Sequence, residues 1–201
     1  RSATSARDLM ESIQIQVREG DIDIDSIKTL AQQNLAFLQD MVNISVDGRY
    51  LYAGSNTGTI PLADPDLLDA NIGSQINDWF NGTHTPAQLL TNLDNLPPAD
   101  LGFDPALSTS GPVTMRIGQT LEMDYTSIAT ENGFKELLQA LSIANSLRQL
   151  APGDVPTRSE YYQVLDKVLA LARTARDEID QENGSLSTQF SVVRMIAQRS
   201  T

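Results

Sequence analysis

Between residues 165 and 196 the chain repeats itself every seven residues. Leu165, Ala172, Ile179, Leu186 and Val193 occupy one position of the repeat. Val168, Ala175, Glu182, Gln189 and Ile196 occupy the position three residues later. Steps of alternately three and four residues bring both sets onto one stripe of an α-helix. On a β-strand an odd repeat would throw successive members onto opposite faces. The stripe is apolar at its first position throughout and polar twice at its second. Glu182 and Gln189 lower the stability of such a seam and help set register or choice of partner. Gly184 disfavours a helix by about 1 kcal/mol relative to Ala. The repeat nevertheless keeps its phase across it, and counting from Ile179 as a, Gly184 falls at f, the outermost position. We therefore predict one helix from about Thr157, where Thr157-Arg158-Ser159-Glu160 fits a capping box, to near the C-terminus. At roughly 60 Å it is longer than a compact domain. Its stripe needs long antiparallel neighbours.

The first 55 residues are the obvious supplier. From Ser5 onward, Ala6, Leu9, Met10, Ile13 and Val17 recur at helical spacing, and Gly20 is placed to end that helix as a C′ glycine. After the acidic loop 21–25, Ser26 is a candidate N-cap. Ile27, Leu30, Ala31, Leu35, Leu38, Met41 and Val42 form the stripe of a second helix. Asp47-Gly48 between β-prone residues is the strongest short hairpin signal. Upstream of the long helix, Phe134, Leu137, Leu138, Leu141 and Ala144 line another helix, expected to end near Ala151-Pro152-Gly153.

The segment 56–126 differs in kind. It holds seven of the nine prolines, and nine acidic residues against one base, Arg116. Asp69–Phe80 reads as a strand or helical turn, Pro86–Leu93 as a short helix, and Val113–Ile117 and Gln119–Tyr125 as strands. The expected fold class is thus a mainly α rod, an antiparallel long-helix bundle with a β-hairpin, plus a small inserted α+β or mostly β domain. The rod domain is discontinuous, 1–55 and 127–201, and the insertion is 56–126. Trp79 and Phe80 are expected to form the core of the insertion.

Composition removes several functions. A formal net charge of -12 argues against binding nucleic acid or an anionic membrane. With no Cys there is no disulfide, thiolate nucleophile or Cys-ligated metal, and one His rules out a site built on two imidazoles. No stretch approaches the roughly 18 apolar residues of a membrane helix, and no charged-then-apolar signal peptide opens the chain. The start at Arg1 and helical patterns at both ends lead us to expect a trimmed chain.

The remaining candidate sites are weak. Asp21, Asp23 and Asp25 have the spacing that opens an EF-hand loop. Ser26 replaces its glycine and Gln32 its final glutamate, so a solvated helix–helix loop is expected. His84 sits in a turn-like segment without a second ligand. Asp64, Asp66 and Asp69 lack an accompanying base or phosphate loop, although paired carboxylates are what glycoside hydrolysis uses. Sequons stand at Asn43, Asn81 and Asn183. No catalytic residue, cofactor or metal is expected.

Asn43–Thr57 reads NISVDGRYLYAGSNT. Its run Gly48, Arg49, Tyr50, Leu51, Tyr52, Ala53, Gly54 and Ser55, preceded by Asp47, resembles a motif that follows the second N-terminal helix in bacterial flagellar hook–filament junction proteins, members of the flagellin-like superfamily. Asn132–Leu141, reading NGFKELLQAL, is similar to the family's return into its helical rod, and the heptad helix resembles its C-terminal rod helix. The resemblance covers both helical regions. It implies a non-enzymatic structural subunit of the flagellum, exported by the flagellar type III apparatus without a cleaved signal peptide and placed extracellularly between hook and filament. It also implies partners: copies of itself in a ring, a neighbouring hook-associated protein, flagellin, and an export chaperone through a terminus missing here. Flagellin itself and a secreted adhesin or glycan-binding module centred on 56–126 are the competing readings.

Overall fold

Thr157 opens the longest element. Its hydroxyl accepts the Glu160 N–H at 3.2 Å, and the Glu160 carboxylate accepts the Thr157 N–H at 2.7 Å. That reciprocal box satisfies two donors a helix start leaves bare. From it runs α6, Arg158–Arg199, 42 residues long. In this computed structural model the backbone is described for residues 2–19, 22–117, 121–124, 128–131 and 133–199. Side chains are described within these ranges except at 2–3, 114–117, 121–124, 186, 188–190 and 192–199.

The chain is mainly helical. Before α6 come α1 (Ser2–Glu19), α2 (Ile24–Val42), α3 (Pro65–Phe80), α4 (Pro86–Asp94) and α5 (Phe134–Ser146). Two antiparallel hairpins interrupt them: β1 (Ser45–Val46) with β2 (Arg49–Tyr50), and β3 (Thr114–Ile117) with β4 (Leu121–Asp124). Short 3₁₀ turns cover Pro98–Leu101 and Pro105–Thr109. The first hairpin turns on Asp47 and Gly48, at φ 51 and 74, the pair of positive values that a two-residue turn requires.

Ile22 and Ile24 border the same cavity as Arg158, Tyr161 and Tyr162, and the Gln149 amide donates to the Ile22 carbonyl at 3.2 Å. The α1–α2 turn therefore lies at the start of α6, and α1, packed on α6, runs antiparallel to it. Ala6, Leu9, Met10 and Ile13 are buried there as their spacing predicts. On α2, Ile27, Ala31, Leu35, Leu38 and Val42 are buried and Met41 partly so. This helix packs on α5, whose Leu137, Leu138, Leu141 and Ala144 are buried.

Three boundaries differ from expectation. Asp23 rather than Ser26 caps α2: its carboxylate accepts the Ser26 N–H at 3.1 Å and the Ser26 hydroxyl at 2.6 Å. Asp caps as well as Ser does, and Ser26 becomes a donor to it. The helix expected to reach Ala151 stops at Ser146, where Leu147 turns to extended backbone at ψ 152 and buries its side chain. The segment expected to be a strand or helical turn at 69–80 is a full helix, α3. Pro65 starts it, and Leu68, Ile72, Ile76, Trp79 and Phe80 are buried at helical spacing. The β-type isoleucines obscured that period. A mostly β middle segment is thereby excluded: its longest element is helical. The expected C′ role of Gly20 falls outside the described residues.

Nor is the middle segment's packing confined to itself. Its buried side chains, Leu62 to Leu107, share one core with those of the flanking helices. Trp79 and Phe80 lie 5.9 and 6.3 Å from the Tyr161 ring of α6. They anchor the segment to the long helix rather than forming a core of its own. Ser142 of α5 donates to Asp69 at 2.6 Å, and Lys167 of α6 pairs with Asp94 at the end of α4.

Candidate functional site

The motif Gly48–Ser55 lies where the chain leaves its first two helices. Tyr50 donates its N–H to the Thr57 carbonyl at 2.7 Å, closing the hairpin's exit. The Tyr52 ring meets Phe134 edge-on at 5.0 Å, and the Tyr52 carbonyl accepts the Ala129 N–H at 2.8 Å. Ala53, fully buried, bridges antiparallel to Ile128. Gly54 has φ +57, and a Cβ there would stand 2.5 Å from Ser110 Oγ and 2.7 Å from the Gly111 carbonyl. Only glycine fits both the conformation and the space. Ser55 donates its N–H to the Gly111 carbonyl at 2.8 Å, while the Ser110 hydroxyl donates to the Ala53 carbonyl at 2.6 Å. The Asn56 amide donates to the Ala106 carbonyl at 2.9 Å. Residues 52–56 are thus clamped on one side by Ala106, Ser110 and Gly111 and on the other by Ile128, Ala129 and Phe134. Burial of the Tyr52 ring raises its hydroxyl pKa. Nearby, Ile44, Val46, Leu51 and Ile60 are exposed at 47, 55, 43 and 45%, with Arg49 exposed between them. Ser45 and Asp47 are exposed as well, so the surface around the hairpin is mixed.

The heptad positions divide into two stretches. Leu165, Val168, Ala172 and Ala175 are fully buried and Ile179 nearly so. Glu182 is half-buried. Leu186, Gln189, Val193 and Ile196 lie on α6, but their side chains fall outside those described. Gly184 is exposed, with open space where a Cβ would stand.

Two concavities lie among the helices. A cavity of about 220 Å³ lies between Ile22, Ile24, Leu150, Tyr161 and Tyr162 at the start of α6. A cleft of about 520 Å³ lies where α5 starts, lined by Glu131, Glu136, Glu178 and Glu182. Burial first, and then the neighbouring Glu136 charge, raises the Glu178 pKa; Lys135 and the Gly133 N–H oppose them. Among the described residues no group of carboxylates and His is placed to hold a metal ion, and no helix is long and apolar enough to cross a membrane.

No protein-family model, curated protein or solved structure matches the chain.

The other sequence candidates have structural roles. Asp23 caps α2, and Asp25 is exposed in its first turn; Asp21 is outside the described residues. His84 Nε2 lies 3.9 Å from Asp78, and the His84 N–H donates to the Asp78 carbonyl at 3.2 Å. Asp64 and Asp66 are exposed, while Asp69 accepts the Ser142 hydroxyl at 2.6 Å. Asn43 donates to and accepts from the Leu62 backbone, both at 2.9 Å.

Sequence reasoning missed one cluster. The Arg148 guanidinium makes paired bonds to Asp154 at 2.6 and 2.7 Å and lies 4.0 Å over the Phe80 ring. The Arg148 carbonyl accepts the Tyr161 hydroxyl at 2.9 Å. The Arg148 bond, helped by the Ala151 N–H, lowers the Asp154 pKa to about 2. Burial pushes the Tyr161 hydroxyl up. Arg148-x₅-Asp154 is too ordinary a spacing to announce a bidentate pair. Its signal is spatial, since Phe80 and Tyr161 come from different helices.

Proposed function

We propose that this chain is a structural subunit of the bacterial flagellum, a hook-associated junction protein that joins hook to flagellin filament and carries no catalytic site. In this reading the helices of 1–55 and 127–201 form a rod, and 56–126 packs against it on the side that faces outward in the assembly. The observation that carries it is the clamp at residues 52–56. The segment that resembles the junction-protein motif is also the one the middle segment leaves from and is tied back to. Charge supports the same orientation. Residues 56–126 carry nine acids and one base, the other 130 residues 17 acids and 13 bases. An outer, water-facing surface tolerates such an excess, whereas a rod face packing on copies of itself does not. The partners would be further copies in a ring, a neighbouring hook-associated protein and flagellin, in an extracellular assembly reached by type III export with a chaperone.

Deleting the encoding gene tests this. Intact hooks, no filaments and flagellin released as monomer into the medium are the expected outcome. Normal filaments would overturn the reading. Disappearance of flagellin itself from the medium would favour the filament subunit instead.

A further inference from the structure

Gly133 fixes how α5 meets α6. It stands at φ +81 at the start of α5, and a Cβ there would lie 2.5 Å from the Ala175 carbonyl oxygen and 2.9 Å from the Ala175 Cα. The start of α5 is therefore seated on the α6 backbone itself, with no side chain between them. That close approach brings carboxylates from two helices into one cleft. Glu136 lies in the first turn of α5 and Glu178 one turn past Ala175 on α6, and both are half-buried. Glu131 and Glu182 line the same cleft. Charge around Glu178 is one-sided. From α5 it meets Glu136 and Lys135, and the Lys135 ammonium is itself 3.5 Å from Glu136. Glu131, from the turn before α5, is exposed, and Glu182, on its own helix, is half-buried. The neighbouring Arg176 bonds Asp177 at 2.6 Å. Ser5, Ala6 and Leu9, buried on α1 where it packs on α6, carry no charge. The Gly133 N–H, at a helix start, is the other group that favours the Glu178 anion.

We infer that Glu178 and Glu136 form an acid-tightened switch: at neutral pH their like charges loosen the seat of α5 on α6, and uptake of a proton by the pair tightens it. The seat holds more than α5. Ala129, just before it, donates its N–H to the Tyr52 carbonyl at 2.8 Å, and Phe134, the first residue of α5, meets the Tyr52 ring. The protonation state of the pair thus reaches the clamp at 52–56. Burial and the Glu136 charge both raise the Glu178 pKa. A raised acid stabilises the fold in its protonated form. Its contribution is complete below the ordinary glutamate value of about 4.3 and is lost as pH rises through the raised one. The inference does not rest on the flagellar reading.

Hydrogen exchange of the Ala129 amide tests it, because local opening of the clamp is what exposes that bond. After division by the intrinsic exchange rate, protection at about pH 4.5 should exceed that at about pH 7.5 by about twofold or more. Glu178→Gln removes the charge and keeps an oxygen for the Gly133 N–H. It should level the two pH values at the higher protection. Glu136→Gln should shrink the difference in the same direction, and Asp166→Asn, at an exposed position elsewhere on α6, should leave it unchanged. Equal protection at both pH values in the unaltered chain overturns the inference, as does a pH dependence that survives Glu178→Gln. Lower protection of Glu178→Gln at about pH 7.5 would also overturn it, since that is what loss of a plain helix cap gives.

Discussion

Two glycines show how little a residue's type says without its surroundings. Gly54 sits at φ +57 with Ser110 Oγ and the Gly111 carbonyl where a methyl would go. Gly184 lies inside a helix with open space around it. In urea unfolding, Gly54→Ala should lower stability by about 2–4 kcal/mol through backbone strain and overlap. Gly184→Ala should raise it by about 1 kcal/mol. Shifts of the same sign would refute one of the two accounts. The heptad phase made Gly184 legible in the sequence. Gly54 was legible only as part of a motif, since its reason lies in residues 110 and 111, far along the chain. Asp154 depends on its surroundings too, here on the Arg148 guanidinium and the Ala151 N–H a few residues away. Its pKa is depressed, so its stabilising contribution is complete above the ordinary carboxylate range near pH 4 and is lost as pH falls through about 2. An NMR titration of its carboxyl carbon should show that midpoint, and Arg148→Met should return it toward 4.

At the scale of elements, local chemistry was readable and tertiary choices were not. The Thr157–Glu160 box and the Asp47-Gly48 turn are written in adjacent residues and occur as read. Thr157→Ala should therefore destabilise α6 by about 1 kcal/mol in thermal or urea unfolding. The start of α2 was misread by one turn because Asp23 and Ser26 are equally good caps. Asp23→Ala should cost about 1 kcal/mol, and Ser26→Ala less, as the carboxylate still accepts the residue-26 N–H. The end of α5 was misread for a different reason. Helical spacing continues past Ser146, but Leu147 finds its buried site only by leaving the helix, and no local rule encodes that site.

For the whole molecule, composition drew a boundary that packing does not follow. Prolines and acids mark off 56–126, yet Trp79 and Phe80 of that segment rest on Arg148 and Tyr161. Trp79→Ala should cost about 3–5 kcal/mol and weaken a single cooperative transition. Two separable transitions in calorimetry would instead mean independent units. The core list of the helical ends was legible because their stripes are periodic. The coupling of the middle to them was not, because it depends on aromatic contacts between distant helices.

The clamp also has a consequence in time. Ala53 meets Ile128 only after the whole middle of the chain has been brought round, whereas α5 and α6 are near neighbours in sequence. Closing so long a loop is entropically unfavourable and late contacts form after the rate-limiting barrier. In stopped-flow measurements Gly54→Ala should then accelerate unfolding and leave the folding rate nearly unchanged. The point where the chain crosses itself would act as a latch, governing how long the molecule stays folded rather than how fast it gets there.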